Sequence, residues 1–215
     1  MGKEIIKIIK LVVESILDII YPLDNKCIIC DTEGFIGICS NCKSSIKRVD
    51  NQEEIISYGH YGGTLKKLIL NLKYHNSFIC GKVLAEMLCE LILEKDLKLD
   101  YICYVPISKV SLKRRGFNQC EIIANNISEI LNIPVLNCLV KIRETKEQKR
   151  LSKDERKENV LGAFKVKNKK KIFKKNILLI DDVYTTGSTI NECKKNIEKC
   201  NINKIYLLTI AKSNI

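Results

Sequence analysis

The sequence predicts an α/β fold: a mainly parallel sheet flanked by helices, with a small four-cysteine module at its N-terminal side. Three observations predict it. Short apolar runs at 101–105, 176–180 and 204–211 alternate with segments of helical periodicity, and strands alternating with helices imply a parallel sheet. Two Cys-x2-Cys pairs stand eight residues apart, at Cys27/Cys30 and Cys39/Cys42. The apolar run Ile177-Leu178-Leu179-Ile180 opens directly into two acids and a hydroxyl- and glycine-rich loop.

Taken in order, residues 1–21 carry Lys3, Glu4, Lys7, Lys10, Glu14 and Asp18 at intervals of three to four among apolar residues. That spacing predicts an amphipathic helix over 1–22, stopped at Pro22, rather than a membrane span or a secretory signal. Its wide apolar face requires a partner: the rest of this chain, a membrane surface or another subunit. The cysteine module occupies 23–50, and an α/β domain runs over 51–215. Within the latter, Gly59, Gly62 and Gly63 mark a turn. Leu65, Leu68, Ile69 and Leu72 give a helix over 64–74, and Leu84, Met87, Leu88 and Leu91 give one over 81–94. Residues 101–105 form a strand ending at Pro106, 121–131 a helix and 135–140 a strand. The stretch 141–159 has no apolar periodicity and reads as a long exposed loop, a feature that in compact domains is usually functional. Ile190, Cys193, Ile197 and Cys200 put a helix over 188–200.

Of 215 residues, 46% are hydrophobic and 29% charged, so the chain can bury a core and is soluble rather than membrane-embedded. The net charge is +12, and residues 141–175 supply +10 of it through 15 Lys/Arg against 5 Asp/Glu. Such a segment suits nucleic acid or a phosphorylated small molecule; lysine filling solvated faces is the plainer explanation. The chain has 11 cysteines. Seven (Cys80, Cys89, Cys103, Cys120, Cys138, Cys193, Cys200) sit mostly among apolar neighbours and read as buried reduced thiols, placing the chain in a reducing, cytoplasmic compartment.

Cys27, Cys30, Cys39 and Cys42 match the spacing of a closed tetrahedral zinc site, with Gly34 and Gly37 supplying the turns between the pairs. So short a segment cannot fold on apolar burial alone, and metal binding would supply its folding energy. Redox thiols or a disulfide pair are the alternatives. All four ligand positions are filled by protein, so the metal is expected to be structural.

The second motif is Asp181-Asp182-Val183-Tyr184-Thr185-Thr186-Gly187-Ser188-Thr189. It lies at the C-terminal end of a buried strand and opens a helix, the place where open α/β sheets bind ligands. Backbone N–H groups of 185–189 and the helix dipole make an anion cradle there, which Gly187 opens to close approach. Carboxylates repel phosphate, so Asp181 and Asp182 must serve another part of the ligand; ribose hydroxyls or a divalent cation fit. Neither a Walker A nor a GxGxxG pattern is present, which argues against nucleoside triphosphates and dinucleotides. An ordinary capped strand–turn–helix explains Ser188 and Thr189 but leaves the two acids unexplained.

This loop resembles the phosphoribosyl pyrophosphate (PRPP) motif of type I phosphoribosyltransferases. Nearly the whole chain resembles the ComF family, with its ComFC and GntX-like competence proteins. The residues that carry it are Tyr21-Pro22, the four cysteines, Tyr61-x-Gly63, Leu72-Lys73-Tyr74, Val105-Pro106, and Arg115-Gly116-Phe117-Asn118-Gln119-x-Glu121. Arg143-x-Thr145-x2-Gln148-x2-Leu151 and Arg156-x2-Asn159-Val160-x-Gly162-Ala163-Phe164 complete the set. The resemblance implies a type I phosphoribosyltransferase-like sheet. It also implies Asp181 and Asp182 as catalytic acids holding the ribose hydroxyls with Mg²⁺ nearby, and Thr185, Thr186, Gly187, Ser188 and Thr189 on the 5′-phosphate. The turn after Pro106 would lie near pyrophosphate. Arg115, Asn118, Arg143 and Arg156 would face the site mouth, the last two on a mobile flap. Purine-salvage members of the superfamily carry an acid where this chain has Thr185, so transfer to hypoxanthine or guanine is disfavoured. No base-recognising hood is evident, and the cysteine module is a candidate for that place. Two functions follow from the resemblance. One is transfer of a phosphoribosyl group to an unidentified acceptor. The other is non-catalytic handling of single-stranded DNA beside a competence helicase, with PRPP as regulator. For His60 and His75 a surface or packing role is the default.

Overall fold

The structure, a computed structural model, describes residues 25–51, 54–145 and 152–213. The expected N-terminal helix and residues 146–151 of the basic segment lie outside them. Among the described residues no helix is long and apolar enough to cross a membrane.

Four parallel strands form the central sheet: β1 (Ile55–His60), β2 (Tyr101–Tyr104), β5 (Asn176–Tyr184) and β6 (Lys204–Lys212), in the spatial order β1-β6-β5-β2. In β5, the alternation of a pleated strand sends Ile177 and Leu179 to one apolar cluster and Leu178 and Ile180 to the other. Both faces are therefore covered, which is why this strand reads as an unbroken apolar run. Register places Asp181 beside Thr209 and Ile180 beside Leu208.

One face carries α2 (Gly63–His75), α3 (Phe78–Glu94) and α5 (Gln119–Leu131). In α2 the stripe Leu65, Leu68, Ile69 and Leu72 is at most 1% exposed. Each such side chain contributes about 1.5–3 kcal/mol of burial, and together they fix the rotation of the helix. Asn76 ends it in the left-handed conformation at φ 53°, its N–H bonded to the Asn71 carbonyl. The other face carries α8 (Ser188–Glu198) with Ile190, Cys193 and Ile197 inward. Beside it lies an antiparallel pair, β3 (Leu139–Lys141) and β4 (Phe164–Val166).

Two expectations are corrected here. The strand at 135–140 is confined to Leu139–Lys141, while Val135 makes an isolated bridge to Ile102. The loop expected over 141–159 contains a helix, α6 (Lys153–Val160), started by a capping box between Ser152 and Glu155. Its buried residue is Val160, so it carries no apolar stripe. Two short helices complete this part of the chain: α4 (Lys109–Arg115), ahead of α5, and α7 (Lys169–Ile172), after β4.

The cysteine module, with its one-turn helix α1 (Ser40–Ser44), rests on α3 and β1. Ile46 joins the main core, and Ile28, Ile29 and Ile38 pack against it. Lys43 pairs with Glu90 at 2.5 Å and Arg48 with Glu94 at 2.8 Å. Gly37 has φ +89°, and a Cβ there would meet Val83 Cγ2 at 2.9 Å, so the glycine serves both the turn and the docking.

Candidate active site and metal centre

The central strand β5 runs on past its apolar half through Asp181 and Asp182 to Tyr184, then turns at Gly187 into α8. Gly187 takes φ +71°, and a Cβ at that position would lie 2.6 Å from Tyr184 Cε2 and 2.9 Å from Asn191 Nδ2. The turn thus has room for glycine only. Beside it opens a cavity of about 460 Å³, lined by Asp181, Asp182, Thr185, Gly187, Ser188 and Thr189. Pro106, Ile107 and Ser108 line it from the end of β2, and Lys73, Arg114, Arg115 and Lys141 bring positive charge.

The acid pair is held by a network. Asp182 Oδ2 accepts from Gln119 Nε2 at 2.6 Å and pairs with the Lys73 ammonium; its Oδ1 accepts from the Val183 N–H at 2.6 Å. Asp181 Oδ1 accepts from the Asp182 N–H at 2.8 Å. Gln119 Oε1 accepts from Arg115, whose guanidinium also lies over the Tyr74 ring, 5.6 Å from its centroid. Burial, then the neighbouring Asp182 charge, pushes the Asp181 carboxyl up to about 7. Burial acts on Asp182 in the same sense, but Lys73 and Gln119 outweigh it and hold that carboxyl below the usual range. Burial acts to lower the pKa of Lys73, and the Asp182 charge outweighs it, so the ammonium is raised. The adjacent carboxyls are thus shifted in opposite directions because one has a cation against it.

Of the residues expected at this site, Asp181, Asp182, Thr185, Gly187, Ser188, Thr189 and Arg115 share the cavity. Thr186 does not: its hydroxyl bonds Ser188 Oγ at 2.8 Å, and it lines a neighbouring cavity of about 400 Å³ between α6 and α8. Asn118 is also elsewhere. It is 5% exposed, its Oδ1 caps α5 by accepting from the Cys120 N–H, and its Nδ2 donates to the Val105 carbonyl. Arg143 donates to the carbonyls of Asn159 and Leu161, tying the base of the basic segment together outside the cavity. Arg156 lies on α6, also outside the lining, whereas Lys141 and Thr145 of that segment belong to it. Residues 25–50 contribute nothing to the lining, so the cysteine module does not cover the cavity. Lys73 and Gln119 also line the cavity and hold Asp182; both lie in motifs that carry the resemblance, but no role was expected of either.

At the other centre, the Sγ atoms of Cys27, Cys30, Cys39 and Cys42 lie within 4.8 Å of one another. The Cys39 N–H points at Cys27 Sγ (3.3 Å) and the Cys42 N–H at Cys39 Sγ (3.4 Å). Amide donors aimed at sulfur stabilise thiolates; at Cys27 they outweigh burial and lower the thiol pKa. Four soft donors so placed fit a tetrahedral ion. The other seven cysteines are free and buried. Among the described residues, Cys120, Asp181 and Asp182 form a second group with ligand atoms within 4.8 Å.

No family model matches the chain. It is 33% identical to Competence protein F of Haemophilus influenzae over 182 residues, which is 81% of this chain and 78% of that protein. It is 28% identical to Competence protein ComFC of Streptococcus pneumoniae over 201 residues, 81% and 87% of the two chains. It is 27% identical to DNA utilization protein YhgH of Escherichia coli over 157 residues, 70% and 68%. Among solved structures, adenine phosphoribosyltransferase from Leishmania tarentolae is similar at a TM-score of 0.42 and 13% identity, over 63% of this chain and 71% of that one. A third of the aligned residues shared with Competence protein F, over most of both lengths, shows that this chain belongs to the competence protein F (ComF) family.

Proposed function

We propose that the chain binds PRPP with Mg²⁺ in the cavity at the end of β5 and transfers its phosphoribosyl group to an acceptor, in the cytoplasm and in the service of DNA uptake. One observation carries this reading: the acid pair and the hydroxyl- and glycine-rich turn line one cavity that also holds four basic side chains. The amides of 185–189, at the start of α8, suit a 5′-phosphate. Asp181 and Asp182 accept hydrogen bonds from ribose hydroxyls. Arg114, Arg115 and Lys141 meet the pyrophosphate. In the reaction, a lone pair of the acceptor forms a bond to the anomeric carbon as the carbon–oxygen bond to pyrophosphate breaks. The bonding electrons leave with pyrophosphate, where the basic side chains stabilise the charge. Oxygen donors from the acid pair fit Mg²⁺, which when bound would screen the pyrophosphate charge. Thr185 offers no carboxylate, so the acceptor proton passes to the departing pyrophosphate or to solvent rather than to a base in the turn. At the other centre, Cys27, Cys30, Cys39 and Cys42 would hold a structural Zn²⁺, whose binding would supply the folding energy of the module.

Isothermal titration of the full chain with PRPP and Mg²⁺ tests the reading. Saturable heat is expected for the wild type, and none for Asp181→Asn/Asp182→Asn. Equal heat from both chains refutes the assignment of the acids. Pyrophosphate release across a panel of amines, bases and DNA then identifies the acceptor. A second reading is non-catalytic handling of single-stranded DNA beside a helicase, with PRPP as regulator. It draws on the +10 segment over 141–175 and on the names of the relatives. It requires binding to single-stranded DNA that weakens steeply with salt.

A further inference from the structure

A pair of neighbouring carboxylates beside a phosphate cradle poses an electrostatic problem, since each would repel the ligand the cradle attracts. The structure places an ammonium against one of them. Lys73 sits in the last turn of α2, and its side chain is 17% exposed while that of Asp182 is 14% exposed. The buried stripe from Leu65 to Leu72 fixes the helix rotation, and that rotation aims residue 73 at β5. Gln119 donates to the same Oδ2 of Asp182, the Val183 N–H takes Oδ1, and Gln119 passes the contact on to Arg115 at the cavity mouth. The chain Lys73–Asp182–Gln119–Arg115 is therefore continuous, spans α2, β5, α5 and the end of α4, and borders the cavity along its length. Charge-assisted bonds of this kind are the strong ones, and a buried carboxylate that loses its cation is left poorly solvated.

We infer that Lys73 is a positioning residue for the phosphoribosyl ligand: it neutralises Asp182 and locks its carboxylate in one orientation, so that a sugar bearing several phosphates settles beside the acid pair. The inference rests on the PRPP reading given above. Lys73 acts through Asp182 and takes no part in bond making. Its charge is what Asp182 requires, so arginine, which keeps the charge in a different shape, replaces it in part where methionine or glutamine does not.

The test is titration of PRPP and Mg²⁺ into the full-length wild type, Lys73→Met, Lys73→Arg, Asp182→Asn and the Lys73→Met/Asp182→Asn double variant, with thermal melts of each. Lys73→Met is expected to weaken binding by about tenfold to a hundredfold, the range of a lost charge-assisted bond. Lys73→Arg is expected to lose clearly less affinity than Lys73→Met, because it keeps the positive charge although its planar head differs in shape. Adding Asp182→Asn to Lys73→Met is expected to change affinity far less than it does in the wild type, because the two act as one unit. Should Lys73→Met lose its cooperative melt, Lys73→Gln, which retains a hydrogen-bonding head without charge, is expected to show the same loss of affinity. Wild-type affinity in Lys73→Met or in Lys73→Gln overturns the role of Lys73 while leaving the site reading intact, as does strict additivity in the double variant. Absence of binding by the wild type overturns the site reading, and this role with it.

Discussion

Replacing Gly187 by alanine tests the turn on which the proposed phosphate site depends. At φ +71° an L-residue meets its own carbonyl, which costs about 1–2 kcal/mol. The added Cβ would also lie 2.6 Å from Tyr184 Cε2 and 2.9 Å from Asn191 Nδ2. To reach ordinary contact the tyrosine ring must retreat by roughly 1 Å. Tyr184 closes β5 and lines the cavity, so its movement disturbs the site as well as the fold. Overpacking of this size costs about 1–3 kcal/mol, giving a total of about 2–5 kcal/mol. Gly116 supplies the control. It has φ +83°, but a Cβ there meets nothing within 4 Å, so Gly116→Ala carries the backbone strain alone. For a chain of this length 1 kcal/mol moves Tm by about 2–4 °C. Differential scanning calorimetry should therefore place Gly187→Ala about 4–20 °C below the wild type and Gly116→Ala about 2–8 °C below it. Equal losses for the two variants would show that the clash at Gly187 is relieved at no cost, and the account of a turn with room for glycine only would be wrong.

The metal centre makes a compositional prediction: about one Zn²⁺ per chain by elemental analysis. Cys27→Ser or Cys39→Ser is expected to lose it along with several degrees of Tm, because Ile46 docks the module on the main core. Retention of stoichiometric zinc by either variant rules out the four-cysteine site. The acid pair makes a prediction about pH in the ligand-free, metal-free chain. Asp181 titrates near 7 when folded, above its ordinary 3.8, so the folded chain binds more protons than the unfolded one between about pH 4 and 7. Its contribution therefore lowers stability as pH rises through that window. Asp182 is shifted the other way, and its contribution is lost only as pH falls below about 4. Urea melts at pH 5, 6 and 7.5 should show Asp181→Asn gaining most over the wild type at the highest pH. A gain independent of pH contradicts the assignment.

How much of this was legible in the sequence depends on whether the signal is local. β5 announced itself because a strand covered on both faces must be apolar at successive positions, and 177–180 is Ile-Leu-Leu-Ile. The cysteine pairs and the turn at Gly187 are likewise local, since ligand spacing and backbone sign are fixed within a few residues. β1 was hidden because it is an edge strand whose apolar run is broken by Ser57 and Gly59. α6 was hidden because Val160 is its buried residue and its surface is otherwise polar. The Ser152-x2-Glu155 capping box that starts it is visible in the sequence, but apolar periodicity, the stronger cue, is absent there.

The site divides along the same line. The cradle is one continuous peptide, so its composition betrays it. The network around Asp182 is assembled across the sheet: Lys73 lies in a motif of the resemblance, but the motif does not say which carboxylate the lysine meets. What selects it is the rotation of α2, set by four buried apolar residues, which turns that one lysine inward to a carboxylate at the end of β5. Asn118 shows the converse. It lies in a motif that points to the ligand, yet its side chain caps α5 and ties it to Val105, and so fixes where Gln119 stands. A residue can thus matter to the site without reaching it. The effect of Asn118→Ala should accordingly resemble that of Gln119→Ala on PRPP affinity while costing more in Tm, because a helix cap contributes about 1 kcal/mol of stability in its own right. An Asn118→Ala chain with lowered Tm and unaltered affinity would detach the cap from the site.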